Sequence, residues 1–155
     1  MTAPILAAGL LGGLATTPAE AVAPPPNDLF SRAEVLTAGG CNAFAEGDIF
    51  GATGQTGELA HYSSASRPKQ SAWSTWRSPV TDTVVIDTVG SDYDTILAVY
   101  RGSRLAQLSR IAANDDAGGN LTSRVTFDAQ AGVTYRIAVD SFGGAEGNYL
   151  LNVTC

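Results

Sequence analysis

Oxygen-bearing side chains gather at two points of the sequence, before and after an apolar stretch. Ca²⁺ takes six to eight oxygen ligands, commonly Asp carboxylates and backbone carbonyls of loops. Two acidic loops at one end of a β-sandwich could supply such a set, together with a carboxylate from a nearby strand end. The sequence therefore predicts a calcium site whose ligands are Asp92, Asp94, Asn114, Asp115, Asp116 and Asp140.

The same residues have a second interpretation. Asp and Asn side chains also form Asx turns and accept backbone N–H bonds without any metal. Their spacing does not match an EF-hand loop, so both interpretations remain open at this point.

Catalytic motifs are absent from the sequence. His61 is the only histidine, and neither a G-x-S-x-G elbow nor an H-E-x-x-H pair occurs. A lone histidine in a loop is typical of a polar surface residue. We therefore expect no enzymatic activity, with a hydrolase that uses His61 as the alternative.

Trp73 and Trp76 are the candidate binding residues, and they lie three positions apart in a strand-like stretch. Side chains three apart on a strand point to opposite faces. We expect one indole in the core, and the other either also in the core or exposed, where it could stack on a sugar ring.

Cys41 and Cys155 are the only cysteines, and they precede the first clear strand and end the last one. An even count without metal-ligand spacing favours a disulfide, which is typical of exported proteins. Two free thiols and a bond between chains are the alternatives.

Composition favours short strands and tight turns. Charged residues make up 15%, hydrophobic residues 45%, and there are 17 glycines. The formal net charge is −6 and the few basic residues are scattered, which argues against nucleic-acid binding.

Turn residues divide the chain every eight to twelve positions, the spacing typical of a sandwich. Several segments alternate apolar and polar residues with a period of two. Residues 96–100 are apolar throughout, which predicts a strand covered on both faces. The predicted strands are Asp48–Gln55, Ser71–Arg77, Thr83–Thr88, Thr95–Arg101, Ser109–Ala113, Arg124–Ala129, Thr134–Asp140 and Asn148–Thr154.

The N-terminal part differs from the rest. Residues 5–15 are an apolar run too short for a membrane span, and Ala19-Glu20-Ala21 has the form of a cleavage site. We interpret residues 1–23 as a signal peptide or, alternatively, as an arm for assembly by strand addition. Three prolines at 24–26 form a linker, and residues 27–155 form the domain.

Several short stretches in order carry a common pattern. They are residues 92–102 (DYDTILAVYRG), 113–116 (ANDD), 123–127 (SRVTF), 131–140 (AGVTYRIAVD) and 147–153 (GNYLLNV), preceded by Gly57-Glu58 with His61 and by 71–76 (SAWSTW). Together they resemble the bacterial pre-peptidase C-terminal domain family over about residues 27–153. The resemblance implies a jelly-roll-like sandwich on exported proteins that serves in secretion, substrate attachment or surface assembly, with Ca²⁺ bound in some relatives.

The expected protein is thus an all-β, jelly-roll-like antiparallel β-sandwich of about eight or nine strands with a mostly irregular N-terminal extension. We expect it to be secreted or at the cell surface. Its partner would be a protein surface, a polysaccharide, or copies of itself in a filament or surface layer.

Overall fold

The computed structural model describes residues 21–36, 41–63, 67–117 and 120–155. Short 3-10 turns occur at Phe30–Arg32 and Leu105–Gln107. The strands are β1 (Glu34–Leu36), β2 (Asn42–Asp48), β3 (Ala72–Arg77), β4 (Asp82–Asp87), β5 (Thr95–Arg101), β6 (Ser109–Asn114), β7 (Arg124–Ala129), β8 (Thr134–Ser141) and β9 (Asn148–Thr154).

The strands form two sheets. One has the order β1-β3-β8-β5-β6 and the other the order β2-β9-β4-β7. Neighbouring strands are antiparallel, except that the short edge strand β1 runs parallel to β3. The predicted all-β, jelly-roll-like sandwich is confirmed.

The main core lies between the sheets and follows the period-two pattern of the strands. On β8, Tyr135, Ile137 and Val139 are buried in it, and on β9 Tyr149, Leu151 and Val153 are buried in the same way. Each such side chain contributes roughly 1.5–3 kcal/mol when it leaves water. Alternation in the sequence therefore identified the inward face of these strands correctly.

A second, smaller apolar cluster lies on the other face of the five-stranded sheet. It consists of Phe30, Trp73, Ala98, Tyr100, Leu108 and Ala138. Strand β5 contributes to both clusters and is buried from Thr95 to Tyr100. The prediction that this apolar stretch is covered on both faces is therefore confirmed.

The first predicted long strand was misplaced. Asp48–Gln55 is not a strand, because β2 occupies Asn42–Asp48 and ends where the prediction begins. The Asp48 side chain accepts a hydrogen bond from Phe50 N (3.0 Å), and Gly51 has a φ of +68°. This local turn stops the strand, because a left-handed backbone leaves the pleated sheet. Strand β1 was not predicted.

Cys41 and Cys155 form the predicted disulfide within the chain, with Cα atoms 5.0 Å apart. It joins the start of β2 to the end of β9, which pair directly in the four-stranded sheet. The bond closes a separation of 114 residues, for which chain entropy gives a stabilisation of roughly 4–5 kcal/mol.

The chain enters the sandwich through a short anchored segment. Asn27 donates from Nδ2 to the Tyr149 hydroxyl (2.9 Å), and Asp28 accepts a bond from Thr53 N (2.5 Å). Residues 1–20, on which the signal-peptide and assembly-arm interpretations rest, lie outside the described residues. No helix in the described part of the chain is long and apolar enough to cross a membrane.

Candidate functional site

The segment between β2 and β3, residues 49–71, is the most unusual part of the fold. It carries no helix or strand within residues 49–63 and 67–71, and it lies over the second apolar cluster. Connections this long inside a compact domain are uncommon and usually functional. The polar contacts that hold it, together with the surface it displays, form the candidate site.

Glu58 is the first anchor of this segment. Its Oε1 accepts hydrogen bonds from Ser71 Oγ (2.7 Å) and Trp73 Nε1 (2.6 Å), and its Oε2 accepts one from Gln55 N (2.9 Å). Burial raises the pKa of this carboxyl group, while the hydrogen bonds from Ser71, Trp73 and Gln55 oppose the rise. The carboxylate thus satisfies donors from the segment and from the sheet at once.

His61 is the second anchor, and it is only 1% exposed. Its Nδ1 lies 2.7 Å from the Tyr100 hydroxyl, and its ring meets those of Trp73 and Tyr100 edge-on. Burial, helped by the charge of Arg110, lowers the pKa of His61 to about 3, so the ring is neutral at pH 7. The expectation of a surface histidine is wrong, because the segment folds this residue onto the aromatic cluster.

Arg110 on β6 is the third anchor, and it binds the backbone of the 49–71 segment. Its Nη1 donates to the carbonyl oxygens of Ala60 (3.1 Å), His61 (3.0 Å) and Tyr62 (2.8 Å). One guanidinium nitrogen therefore binds three consecutive backbone carbonyl oxygens, which have no hydrogen-bond partner in a strand.

Asp140, which was predicted as a calcium ligand, accepts backbone hydrogen bonds in the structure. Its Oδ1 accepts backbone N–H bonds from Lys69 (3.3 Å), Gln70 (3.0 Å) and Ser141 (2.8 Å). Burial raises its pKa and these bonds oppose the rise. Asp140 therefore fastens the end of the 49–71 segment to β8, beside the second apolar cluster.

Two of the other proposed ligands are also used within the fold. Asp92 accepts bonds from Asn148 N (2.7 Å) and Asn148 Nδ2 (2.8 Å), and these bonds lower its pKa. Asn114 accepts from Arg124 N (3.0 Å) and donates to the Asp116 carbonyl (3.3 Å). Asp92 therefore joins its loop to the start of β9, and Asn114 joins β6 to the start of β7.

Asp94, Asp115 and Asp116 come closer to the predicted arrangement. Burial raises the pKa of Asp94 and of Asp115. The charge of Asp116 adds to both rises, and the charge of Asp94 adds to the rise at Asp115. Oδ1 of Asp94 and Oδ1 of Asp115 have no hydrogen-bond partner among the described residues. Even so, no group of three or more acidic, His or Cys side chains within the described ranges has the geometry of a metal site.

Both tryptophans are buried, with exposures of 1% for Trp73 and 2% for Trp76. They point to opposite faces, as the spacing predicts, with Trp76 in the main core and Trp73 in the second cluster. Neither offers a free ring to a sugar. The 49–71 segment covers Trp73, which corrects the expectation that one of the two could be an exposed binding residue.

Sequence reasoning missed the partners that make this site. Ser71, Tyr100 and Arg110 were not chosen as functional residues, and Glu58 was noticed only beside His61. The available signal was a polar residue at the end of an apolar strand (Tyr100) and a cation on the next strand (Arg110). Such signals do not reveal which distant loop these side chains contact.

Comparisons with known proteins show similarity at the level of fold. The structure is similar to the pre-peptidase C-terminal domain of a collagenase from Bacillus anthracis, with a TM-score of 0.50, 14% identity, and coverage of 79% of this chain and 94% of that one. It is also similar to PliG, a periplasmic inhibitor of g-type lysozyme from Aeromonas hydrophila, with a TM-score of 0.52, 17% identity and the same coverage. No protein-family model and no curated protein matches the sequence.

Proposed function

We propose that this chain is a non-catalytic, exported β-sandwich module that binds another protein through the outer surface of residues 49–63. The observation that carries the proposal is the fixing of an irregular segment by separate polar anchors, Glu58, Arg110 and Asp140. Ordering such a segment costs roughly 1–2 kcal/mol of backbone entropy per residue. A segment that is already ordered loses less entropy when it binds.

The surface that these anchors hold in place has the character of a contact site. Leu59 and Tyr62 are 39% and 44% exposed. Leu59 also lines a hollow of about 330 Å³ together with Ala60, Tyr100 and Arg110. Tyrosine and arginine side chains are enriched at the centres of protein interfaces.

Other observations support the remaining parts of the proposal. The disulfide is typical of oxidising compartments, which fits an exported protein. His61 pairs with the Tyr100 phenol and not with a Ser, Thr or Cys nucleophile, which fits a role in packing. A protein of similar fold is an inhibitor of a lysozyme, so this kind of sandwich is used elsewhere to bind a protein.

The test is affinity capture from the exported proteins of the source organism with three immobilised versions of the full chain. The versions are wild type, Leu59→Asp/Tyr62→Asp, and the control Val89→Asp/Leu121→Asp, which changes two apolar residues elsewhere that are more exposed still. We expect wild type and control to retain the same protein and the Leu59→Asp/Tyr62→Asp variant to lose it. Retention by all three versions, or retention of only a polysaccharide or of the chain itself, would contradict the proposal.

A second proposal is that Ca²⁺ stabilises the loops of Asp94 and Asp115. The unpartnered carboxylate oxygens of these two residues favour it. A cation would supply them with a partner and offset both the burial and the neighbouring negative charges that raise their pKa values. A ligand at about 100 times its Kd stabilises a fold by about 2.7 kcal/mol. We therefore expect added Ca²⁺ to raise Tm, and a chelator to reverse the rise.

The control for this second proposal is Asp94→Asn/Asp115→Asn. We expect this variant to have a higher Tm than wild type in the presence of chelator, since repulsion is removed, and no response to Ca²⁺. A wild-type Tm that is the same with Ca²⁺ and with chelator would eliminate the calcium site.

A further inference from the structure

A groove runs along one side of the sandwich, between β1 and β2, which are edge strands of the two sheets. It has a volume of about 500 Å³, and its walls include Pro25, Pro26, Glu34, Glu46 and Tyr149. It continues across Gly47 into a second hollow of about 460 Å³ beside Asn148 and Leu150. None of these residues lines the hollow beside Leu59, so the groove is independent of the function proposed above.

The floor of the groove exists because Gly47 has no side chain. Gly47 pairs with Tyr149 across β2 and β9. A Cβ at Gly47 would lie 2.7 Å from the Tyr149 hydroxyl, which is far too close for any larger residue without movement. The glycine therefore leaves the edge of the strand open, with the phenol ring of Tyr149 beneath it.

Tyr149 supplies a polar atom in this otherwise apolar floor. The residue is 2% exposed, and its hydroxyl accepts a hydrogen bond from Asn27 Nδ2 (2.9 Å). This hydroxyl donates to no acceptor within the part of the chain that the structure describes. Burial raises its pKa, and the nearby carboxylates of Glu34 and Asp48 add to the rise, so the phenol keeps its proton.

The rim of the groove is acidic and is not neutralised. Glu34, Glu46 and Asp48 line it together with one cation, Arg32. Across the described ranges the only ion pair joins Arg124 and Asp87, so Arg32 does not contact these carboxylates. Glu34 and Glu46 also make no side-chain hydrogen bond to another described residue.

The arrangement of these carboxylates distinguishes between kinds of cation. They do not form a cluster suited to a metal ion in the described structure. An extended groove with an apolar floor and a spread acidic rim matches a cation on an aliphatic stem. Lysine and arginine side chains have this form, with methylene groups that pack on apolar surface and a charged end that binds carboxylates.

We propose that this groove binds a lysine or arginine side chain on an extended segment of a partner protein. The aliphatic stem lies over Tyr149 and the prolines, and the charged group lies among Glu34, Glu46 and Asp48. The Tyr149 hydroxyl donates to a carbonyl of the same segment.

The experiment is an NMR titration of the full chain with capped alanine pentapeptides that carry lysine, arginine or uncharged norleucine at the centre. We expect the two cationic peptides to shift the backbone amides of Gly47 and Tyr149 in a saturable way. The norleucine peptide should bind at least tenfold more weakly. Equal binding of the norleucine peptide, or shifts spread evenly over the surface, would overturn the proposal.

Two variants of equal charge change locate the site. Glu34→Gln/Glu46→Gln removes rim carboxylates, and we expect it to weaken binding of the lysine peptide at least tenfold. The control Asp82→Asn/Asp128→Asn removes two exposed carboxylates on β4 and β7, and it should bind like wild type. Equal loss in both variants would mean general attraction to an acidic surface.

Two competitors test the class of ligand. Ca²⁺ at a concentration equal to that of the peptide should not displace it, and displacement would instead identify a metal site. Spermidine should bind more weakly than the lysine peptide because it offers no carbonyl to Tyr149. Tighter binding of spermidine would mean that the ligand is a small polyamine and not a protein segment, and it would overturn the proposal.

Discussion

The two sheets of the sandwich differ most on their outer faces. On the five-stranded sheet, Glu58 and His61 of the connecting segment contact Trp73 and Tyr100, and both aromatic side chains are buried. On the four-stranded sheet, the outward residues include Phe44, which is 66% exposed, and Thr126, which is exposed as well. The same sandwich therefore has one face built as a second core and one face left to solvent.

The polar contacts on the two outer faces also differ in strength, because one face is shielded from water and the other is not. Under the 49–71 segment, Glu58 and Asp140 accept several hydrogen bonds each in a buried setting. On the open face, Asp87 meets Arg124 at 3.4 Å in an exposed ion pair. Buried hydrogen bonds to charged groups contribute about 1.5–3 kcal/mol, whereas exposed ion pairs contribute about 0–1 kcal/mol. A polar contact thus matters most where the chain has excluded water.

The largest expected effect comes from removing the centre of the covered face. Trp73→Ala should destabilise the domain by about 3–5 kcal/mol, because it leaves a cavity and removes the donor to Glu58. Phe44→Ala on the open face should change stability by about 0.5 kcal/mol or less. Urea unfolding measures both, and equal losses would show that the two faces do not differ in this way.

Removing the disulfide tests what stabilises the four-stranded sheet, whose outer face is open to solvent. Cys41→Ser/Cys155→Ser should lower the free energy of unfolding by about 2–5 kcal/mol, a range that includes the chain-entropy value given above. Because the bond ties β2 to β9, native-state hydrogen exchange should accelerate more in these strands than in β5 and β8. Uniform acceleration in all four strands would show that the bond stabilises the whole domain and not one sheet in particular.

Glu58 is the next test of the covered face. Glu58→Ala leaves Ser71 Oγ, Trp73 Nε1 and Gln55 N without their acceptor and should cost about 2–3 kcal/mol. Glu46→Ala on β2 is the matched control, and an exposed carboxylate there should contribute less than about 0.5 kcal/mol. A loss from Glu58→Ala no larger than that control would mean that water replaces the carboxylate and that the segment is loosely held.

The smallest expected effect is a dependence on pH that comes from the covered face alone. Burial lowers the pKa of His61 from 6.5 to about 3, so the unfolded chain binds a proton below pH 6.5 that the folded chain does not. Stability is therefore full above this pH and declines as the pH falls. The expected loss is about 1 kcal/mol between about pH 7.5 and about pH 5.5.

This pH effect has an internal control, because His61 is the only histidine. Glu58 and Asp140 have raised pKa values, so their contribution to stability has the opposite sign and grows as the pH falls. His61→Gln should remove the decline above about pH 5.5 while keeping a polar group near Tyr100. A decline that persists in this variant would assign it to other groups.

Much of the sandwich was predictable from local patterns. Alternating residues on β7, β8 and β9 identified the inward faces, because a strand directs successive side chains to opposite sides. The apolar run of β5 predicted burial on both faces, and the two cysteines predicted the disulfide. Strand β2 was not predictable in this way, because its buried residues Ala43 and Ala45 are small, whereas the large apolar Phe44 between them is exposed.

The candidate site depended on contacts that no local pattern contains. The sequence by itself determined that Trp73 and Trp76 face opposite ways. It left open whether Asp92 and Asn114 bind Ca²⁺ or make hydrogen bonds within the fold. Only the tertiary structure showed that the 49–71 segment lies over Trp73 and that His61 is buried against Tyr100. It also showed that Asp140 accepts hydrogen bonds from the backbone of Lys69 and Gln70. The physical reason is that alternation along a strand shows only which face of the sheet each side chain takes. Burial of the outer face depends on a connection distant in the sequence. That connection can lie there only if its polar groups find hydrogen-bond partners.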